Sequence, residues 1–289
     1  MPMTLDRPAY PSDLSDEQWA ILEPLVPALS PEAAYYVHER REIVNAIFYV
    51  LRSGCPWRML PHEFPAWETV YYYFRKWEHE GVWERILHIL RMRVRRKQGR
   101  EKEPSAAIID SQSIKTSAVG GPKKGFDMGK KIWGRKRHAL VDTQGNLLGV
   151  KVTGAESSDQ EGGRLLLESV KKLLPRLKLI WADSHYGGTF RTWARVILGW
   201  EIQIVKALTV PKRGLLVYED EEVDWDKLFP KGFHPQPRRW VVERTFSWII
   251  LWRRLCRDHE GLPCSSEALI KIAMSARMLH LLKPSFFSY

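Results

Sequence analysis

The sequence is poor in cysteine and has no long apolar run. Its three cysteines, Cys55, Cys256 and Cys264, are an odd number at irregular spacing, which argues against a disulfide framework and against a zinc site. No apolar stretch approaches the roughly 18 residues that a membrane-spanning helix needs, and the N-terminus lacks the pattern of a secretory signal peptide. We therefore expect reduced thiols in a cytoplasmic protein without a membrane partner.

Acidic residues are also in deficit, and the resulting positive charge is unevenly distributed. The chain has 45 Lys and Arg against 34 Asp and Glu, a net charge of +11. Residues 1–100 carry 14 basic and 13 acidic side chains, so nearly all of the excess lies among the remaining 31 basic and 21 acidic side chains. A positive field of this size favours a polyanionic partner. With no membrane segment in the sequence, nucleic acid is the better candidate.

Apolar residues recur at helical spacing through the first hundred residues, which predicts a helical domain over residues 1–100. Ser15 and Gln18 fit a capping box at the start of the first helix. The segment 68–77 is a candidate recognition helix of a helix-turn-helix-like DNA-binding domain, with Arg75 and Lys76 facing outward. The alternative is a plain helical bundle in which the aromatic residues of this segment form the core.

The basic stretch RMRVRRKQGREKEP, residues 91–104, marks the predicted domain boundary, because Gln-Gly and then proline end the helical pattern. Beyond it the hydrophobic period changes. Strands are predicted at 106–109, twice within 136–154, at 177–184 and at 202–205, and helices at 159–174 and 189–198. This order predicts an α+β or α/β domain over residues 101–289, in which helices pack on a mixed β-sheet.

Two predicted strands lead directly into an aspartate, Asp110 and Asp183. Sites in α/β sheets gather at the carboxyl ends of strands, although one aspartate in such a place is usually a turn former or a helix cap. Two neighbouring carboxylates repel each other unless a cation lies between them. Because no Cys or His framework accompanies them, these oxygen ligands favour Mg²⁺, with Mn²⁺ as a substitute.

A third acidic residue lies in the apolar segment 238–255. Four polar side chains fall within one arc of about 80° on a helical wheel: Arg239, Glu243, Ser247 and Arg254. This seam predicts a largely buried helix, in which Glu243 needs a partner. An i, i+4 ion pair between Arg239 and Glu243 is the structural explanation. A wall of a metal site, formed together with the two aspartates, is the functional one.

Residues 123–138 form a basic cluster with a single acidic residue, Asp127. Clusters of this kind contact phosphates. The candidate contacts are Lys130, Lys131, Arg135, Lys136 and Arg137, together with Lys123 and Lys124. His138 and His185 are candidate site neighbours, with a hydrogen-bonded structural role as the alternative. Ser111 and Ser113 follow Asp110, but serines are common in strands and turns, and we assign them no nucleophilic role.

Several of these stretches resemble bacterial insertion-sequence transposases of the DDE type, specifically the insertion-sequence-five-like group. The resemblance lies in IDSQSIKTS, GRKRHALVDT, IWADSHYGG and RRWVVERTFSWI, and in YPSDLSDEQW, NAIFYVLRSGCPWRMLP and TVYYYFRKW nearer the N-terminus. It implies a ribonuclease-H-like fold in which Asp110, Asp183 and Glu243 are the catalytic and metal-binding acids. It also implies a transposase that binds terminal inverted repeats and target DNA and cleaves and transfers strands with two Mg²⁺ ions. A homodimer in the DNA complex, associated with the nucleoid, is a further implication.

Two positions depart from the wider family's pattern of Tyr, Arg, Glu and Lys around the third acid. Arg239 and Glu243 match it, whereas Gln236 replaces Tyr and Ile250 replaces a basic residue. The candidate DNA contacts near this helix are Arg239, Arg253 and Arg254, of which the last two are candidates to supply the missing charge. The departures keep open an alternative, a catalytically impaired DNA-binding protein derived from a transposase. A general ribonuclease-H-like nuclease fits the N-terminal resemblance less well.

Overall fold

Four helices occupy the first hundred residues of the computed structural model, which describes residues 7–28, 39–117, 121–205 and 238–284. Their bounds are α1 Asp16–Leu22, α2 Arg40–Ser53, α3 Trp67–His79 and α4 Val82–Lys97. The predicted capping box is confirmed, because Gln18 N donates to Ser15 Oγ and Ser15 N donates to Gln18 Oε1. Gly54 ends α2 in the left-handed conformation, with φ of 76°, which glycine adopts readily.

A six-stranded sheet follows in the described part of the chain. Its strands are β1 Ala106–Lys115, β2 Gly125–Asp127, β3 Ile132–Asp142, β4 Leu147–Gly154, β5 Leu179–Ala182 and β6 Glu201–Ile204. β3 runs antiparallel to β1, β2 and β4, whereas β5 is parallel to both β1 and β6. The order across the sheet is β4, β3, β1, β5, β6, and the short β2 pairs with the beginning of β3.

Helices cover both faces of this sheet. They are α5 Asp159–Val170, α6 Thr189–Trp193 with a π-helical turn over Ala194–Leu198, α7 Trp240–Ile250 and α8 Pro263–Leu282. α5 and α6 pack on the face that contains Ile109 and Leu140, and α7 and α8 pack on the face that contains Ile108 and Ala139. Neighbouring residues of β1 enter opposite cores because side chains alternate along a strand. This mixed sheet with flanking helices confirms the predicted fold class.

The C-terminal helix α8 joins the two halves of the chain. Every residue from Ser265 to Ala276 is buried, because α8 packs against β4 and α4 and also contacts α1, α2 and α3. One continuous cluster of buried side chains therefore includes the N-terminal helices and the sheet. The predicted domain boundary falls in the connection between α4 and β1, and the division into two domains there remains a prediction. Neither α8 nor any other helix in the described residues is long and apolar enough to cross a bilayer.

β1 is longer than predicted, and Asp110 lies inside it rather than after its end. The strand continues to Lys115 because its second half stays paired with β3, where Asp110 is opposite Ala139. Its pairing with β5 stops earlier, at Ile108 and Trp181. Asp110 therefore follows the end of the pairing between β1 and β5, as predicted, but it does not follow the end of β1 itself.

Candidate active site

The register of two parallel strands brings Asp110 and Asp183 together. Ile108 of β1 pairs with Trp181 of β5, so that Asp110 and Asp183, two residues further along, come level with each other. Neighbouring strands lie about 4.8 Å apart, a spacing at which two carboxylates interact directly. The two aspartates thus lie side by side where the parallel pairing ends, and the charge of Asp183 acts on Asp110.

Glu243 reaches the same place through Arg239. At the beginning of α7, Arg239 Nη2 lies 3.4 Å from Asp110 Oδ2 and 3.6 Å from Glu243 Oε1. The two carboxylate oxygens are therefore no further apart than the sum of these distances, 7.0 Å. The i, i+4 ion pair considered from the sequence is present, and the same guanidinium extends it to Asp110.

The carboxyl group of Asp110 has a raised pKa. Only 14% of its side chain is exposed. Burial, helped by the charge of Asp183, raises the pKa of Asp110 to about 6, although the backbone N–H of Ser111 and the charge of Arg239 act in the opposite direction. Burial has this effect because a carboxylate loses its hydration. A cation placed beside such a group stabilises its charged form.

Asp159 extends this acidic group, and sequence analysis missed it. The imidazole Nδ1 of His185 lies 3.0 Å from Asp183 Oδ2 and 3.8 Å from Asp159 Oδ2. The other oxygen of Asp159 accepts from Ser111 Oγ at 2.6 Å and lies 3.3 Å from Lys136 Nζ. Burial alone would raise the pKa of Asp159, but these two partners outweigh it and hold that pKa below its ordinary value. The available sequence signal was an acid in the first turn of a helix, which ordinarily serves the helix dipole.

Tyr186 lies next to these acids. Its ring is fully buried against Phe190, and its hydroxyl has no hydrogen-bond partner among the described residues. Burial and the charges of Asp110, Asp159 and Asp183 raise the pKa of Tyr186 well above its ordinary range. The hydroxyl therefore keeps its proton and is available as a donor beside the acidic group.

The donor set suits a hard divalent cation. Carboxylate oxygens are the ligands that Mg²⁺ and Mn²⁺ prefer, and the burial of Asp110 disfavours its charge until a cation approaches. In the part of the chain that the structure describes, no three His, Cys, Asp or Glu side chains are grouped tightly enough to hold a metal ion. The guanidinium of Arg239 bridges Asp110 and Glu243 instead. The Glu243 side chain is 49% exposed, so it can change rotamer without repacking the core.

α7 is shorter and less buried than the predicted helix with a polar seam. It ends at Ile250, which is exposed. Arg254 lies beyond this end and is buried, with its Nε 2.8 Å from Glu260 Oε1. Arg254 therefore lies outside the seam, and its predicted DNA contact is wrong. Arg253 is exposed and remains a predicted contact, whereas Gln236 lies outside the described residues.

Two arginines of the basic cluster are interior residues rather than DNA contacts. Arg135 and Arg137 are fully buried in β3. Arg135 forms an ion pair with Asp258 at 3.1 Å, and Arg137 donates to a backbone carbonyl at 2.9 Å. The prediction for both is wrong, because this part of β3 lies inside the sheet and its side chains are covered. Sequence composition gave no indication of that cover.

The remaining residues of the basic cluster 123–138 are of two kinds, buried and exposed. Lys136 is buried with its Nζ beside Asp159, so it is not a DNA contact either. His138 is fully buried, 3.0 Å from Thr153 Oγ1, and burial lowers its pKa to about 4, which makes it a neutral structural histidine. The lysines in the exposed turn before β3, Lys130 and Lys131, remain predicted contacts.

Arg75 does not face outward as predicted. Its Nη1 donates to Ser265 Oγ of α8 at 2.5 Å, and it also pairs with Glu78. Phe74 and Trp77 beside it are buried, so the segment 68–77 contributes the core of a helical bundle, as in the alternative interpretation. Lys76 is partly exposed and remains a predicted DNA contact.

Family models match both parts of the chain. A model described as "Putative transposase of IS4/5 family" matches residues 14–87, and one described as "Transposase DDE domain" matches residues 101–278. A protein of Burkholderia cepacia described as "Insertion element IS402 uncharacterized 16.2 kDa protein" is 32% identical over 117 residues, which are 38% of this chain and 77% of that protein.

The sheet order and its flanking helices are those of a ribonuclease-H-like DDE fold, the class to which the converging acids also point. The DDE match covers more than half of the chain. The chain belongs to the DDE transposases of insertion sequences, and the resemblance recognised in the sequence is confirmed.

Proposed function

We propose that the protein binds the ends of an insertion sequence and catalyses metal-dependent cleavage and transfer of DNA strands. Asp110, Asp183 and Glu243 are the catalytic and metal-binding residues of this proposal. The observation that supports it is their convergence: two acids that follow the last paired residues of adjacent parallel strands, and a third joined to the first by Arg239.

Cleavage at an element end requires a water oxygen to form a bond to phosphorus while the bond from phosphorus to the 3′ oxygen breaks. The product is a 3′-hydroxyl, which attacks a target phosphodiester in the same way during strand transfer. Two divalent ions at the carboxylates would activate the attacking oxygen and stabilise the leaving oxygen. No protein nucleophile is required, and the hydroxyl of Ser111 is already hydrogen-bonded to Asp159.

Arg239 prepares the site for a phosphate. Its guanidinium holds Asp110 and Glu243 and limits their repulsion before DNA arrives. A guanidinium group donates two parallel hydrogen bonds to a phosphate, as it does to a carboxylate. In the proposal, Arg239 exchanges carboxylate contacts for contacts to the DNA backbone when cations and substrate enter.

The DNA surface of the proposal consists of exposed cations. They are Lys130, Lys131 and Arg253, to which we add the partly exposed Lys76 and the largely buried Arg239 beside Asp110. These residues bind phosphates and contribute affinity that falls with salt concentration. Because two element ends must be held at once, we propose a homodimer in the DNA complex, in the cytoplasm and on the nucleoid.

The test is strand cleavage by the full-length protein on a plasmid that carries this gene with its own flanking DNA. With Mg²⁺ present, Asp110→Asn, Asp183→Asn and Glu243→Gln should each lower cleavage at least about a thousandfold. Binding of flank DNA in a mobility-shift assay should change little. Glu168→Gln, which neutralises an exposed carboxylate on α5, is the matched control and should cleave normally. Chelation should stop the reaction, and Mn²⁺ should restore it.

A second candidate is a DNA-binding protein without catalytic activity. Two observations favour it: Ile250 stands where a basic residue is expected, and Arg254 is committed to Glu260 and does not replace that charge. Tight binding of flank DNA without nicking, in either Mg²⁺ or Mn²⁺, would establish this candidate. Undiminished cleavage by any of the three acid variants would remove that residue from the site.

A further inference from the structure

The β2–β3 hairpin, residues 123–134, carries an exposed aromatic pair. Phe126 and Trp133 are cross-strand partners and are 40% and 59% exposed, and Met128 in the turn is 80% exposed. Cross-strand partners point to the same side of a two-stranded ribbon, so the two rings form one platform. Exposed apolar surface concentrated in this way marks an interaction site more often than scattered single residues do.

Cations surround this platform. Lys123, Lys130 and Lys131 are exposed, whereas the one acid of the hairpin, Asp127, is buried. Lys123 and Lys131 have φ of 60° and 53°, a left-handed conformation that disfavours residues with a Cβ. Lysine therefore occupies two positions where glycine would fit better, and residues in such strained conformations cluster at functional sites.

The hairpin is anchored beside the acidic group. Ser113 Oγ donates to Asp127, and Lys136 Nζ lies 3.8 Å from Asp127 and 3.3 Å from Asp159. Ser113 follows Asp110 on the same strand. The platform therefore has a fixed position relative to the candidate catalytic residues.

The platform also lies at a distance that one DNA strand can span. Trp133 is six residues before Ala139, and Ala139 is the strand partner of Asp110. Six residues of a strand span about 20 Å. Strand alternation places Trp133 on the same face as Ala139. At the rise of about 3.4 Å per nucleotide that a strand has in duplex DNA, about six nucleotides cover this distance, and an extended single strand covers it in fewer.

We propose that the β2–β3 hairpin binds unpaired bases of the DNA strand next to the cut site. This inference rests on the proposed function. Phe126 and Trp133 stack on base faces, and the surrounding lysines bind phosphates on both sides. A duplex presents only base edges in its grooves, so two exposed rings with a basic border fit a single strand better than paired DNA. Aromatic rings stack on any base, so the contact is tolerant of sequence.

The test is binding of labelled 12-nucleotide strands to the full-length protein, measured by fluorescence anisotropy in EDTA so that no strand is cut. Three probes are compared: a thymidine strand, an abasic strand of the same length and a 12-base-pair duplex. Trp133→Ala should weaken binding of the thymidine strand about tenfold and leave the other two probes within about twofold. Trp133→Phe should retain most of the binding. Ile197→Ala, which removes an exposed apolar side chain elsewhere, is the control.

Combined Lys130→Ala and Lys131→Ala should weaken all three probes and lower the salt slope for the strands by about 1.4. Unchanged thymidine-strand binding by Trp133→Ala would overturn the proposal, as would an equal loss with the abasic strand. A change in sedimentation caused by Trp133→Ala without a change in strand binding would also overturn it, because the platform would then contact a second copy of the chain. Since no catalysis is measured, a failed cleavage assay would refute the proposed function and leave this result unaffected.

Discussion

Replacing Asp110 by Asn separates the energetic cost of a buried charge from catalysis. Burial raises the pKa of Asp110 from 3.8 to about 6, and each pKa unit corresponds to about 1.4 kcal/mol. The charged carboxylate therefore destabilises the metal-free fold by about 3 kcal/mol. Asn has the same shape and can accept the backbone N–H of Ser111, but it carries no charge to desolvate. We expect Asp110→Asn to inactivate the protein and to stabilise it.

The sign of the pH dependence follows from the direction of this shift. Because the pKa is higher in the folded state, the folded protein binds more protons between about pH 4 and pH 6, and its stability falls as the pH rises through this window. The full free-energy cost of the buried Asp110 carboxylate is present above about pH 6 and absent below about pH 4. In EDTA, Asp110→Asn should therefore be about 3 kcal/mol more stable than the wild type at pH 8. The difference should shrink toward zero near pH 4.

Urea denaturation followed by far-UV circular dichroism measures this difference. Glu168→Gln, the exposed control, should change the free energy of unfolding by less than about 0.5 kcal/mol at either pH. Adding Mg²⁺ or Mn²⁺ should raise the stability of the wild type, because a ligand that binds only the folded state stabilises it, and should have little effect on Asp110→Asn. A variant that is less stable than the wild type at pH 8, or a difference that does not change with pH, would refute the reasoning.

Two further substitutions test the interior. Asp258→Ala leaves the fully buried Arg135 without its ion-pair partner, so it should lower the free energy of unfolding by about 3–5 kcal/mol. Urea denaturation measures this change, and a loss under about 1 kcal/mol would contradict the buried Arg135–Asp258 ion pair. Gly162→Ala places a Cβ 2.0 Å from Nε2 of the buried His138, so it should destabilise by about 1–3 kcal/mol. Glycine to alanine inside a helix ordinarily stabilises by about 0.5–1 kcal/mol, and a higher thermal midpoint for this variant would show that α5 is not packed as described.

The convergence of Asp110 and Asp183 was predictable because it depends on where the parallel pairing of β1 and β5 ends. In both strands an apolar run that leads into an acid marks this point, and parallel pairing places the two acids side by side. The exact length of β1 was not predictable in the same way. The strand continues past Asp110 because β3 lies beside it, and that pairing partner is far away in sequence.

The buried arginines show a second limit. Arg135 and Arg137 belong to a run of basic residues, and composition alone favours a solvated, phosphate-binding surface. Their burial depends on Asp258 and on the backbone carbonyl that accepts from Arg137, both more than a hundred residues away. Asp159 was missed for a related reason, since only the tertiary structure shows that a helix-start acid lies beside a strand-end acid.

The central position of α8 has a consequence for how the chain is made. The segment 263–282 is made after α1 to α4 and the sheet, yet it packs against all four of these helices and completes their common core. Until then, part of the apolar surface of these helices lacks its cover, and a nascent chain with such surface exposed is prone to aggregate. A chain truncated before Pro263 should therefore fail to form a stable N-terminal core.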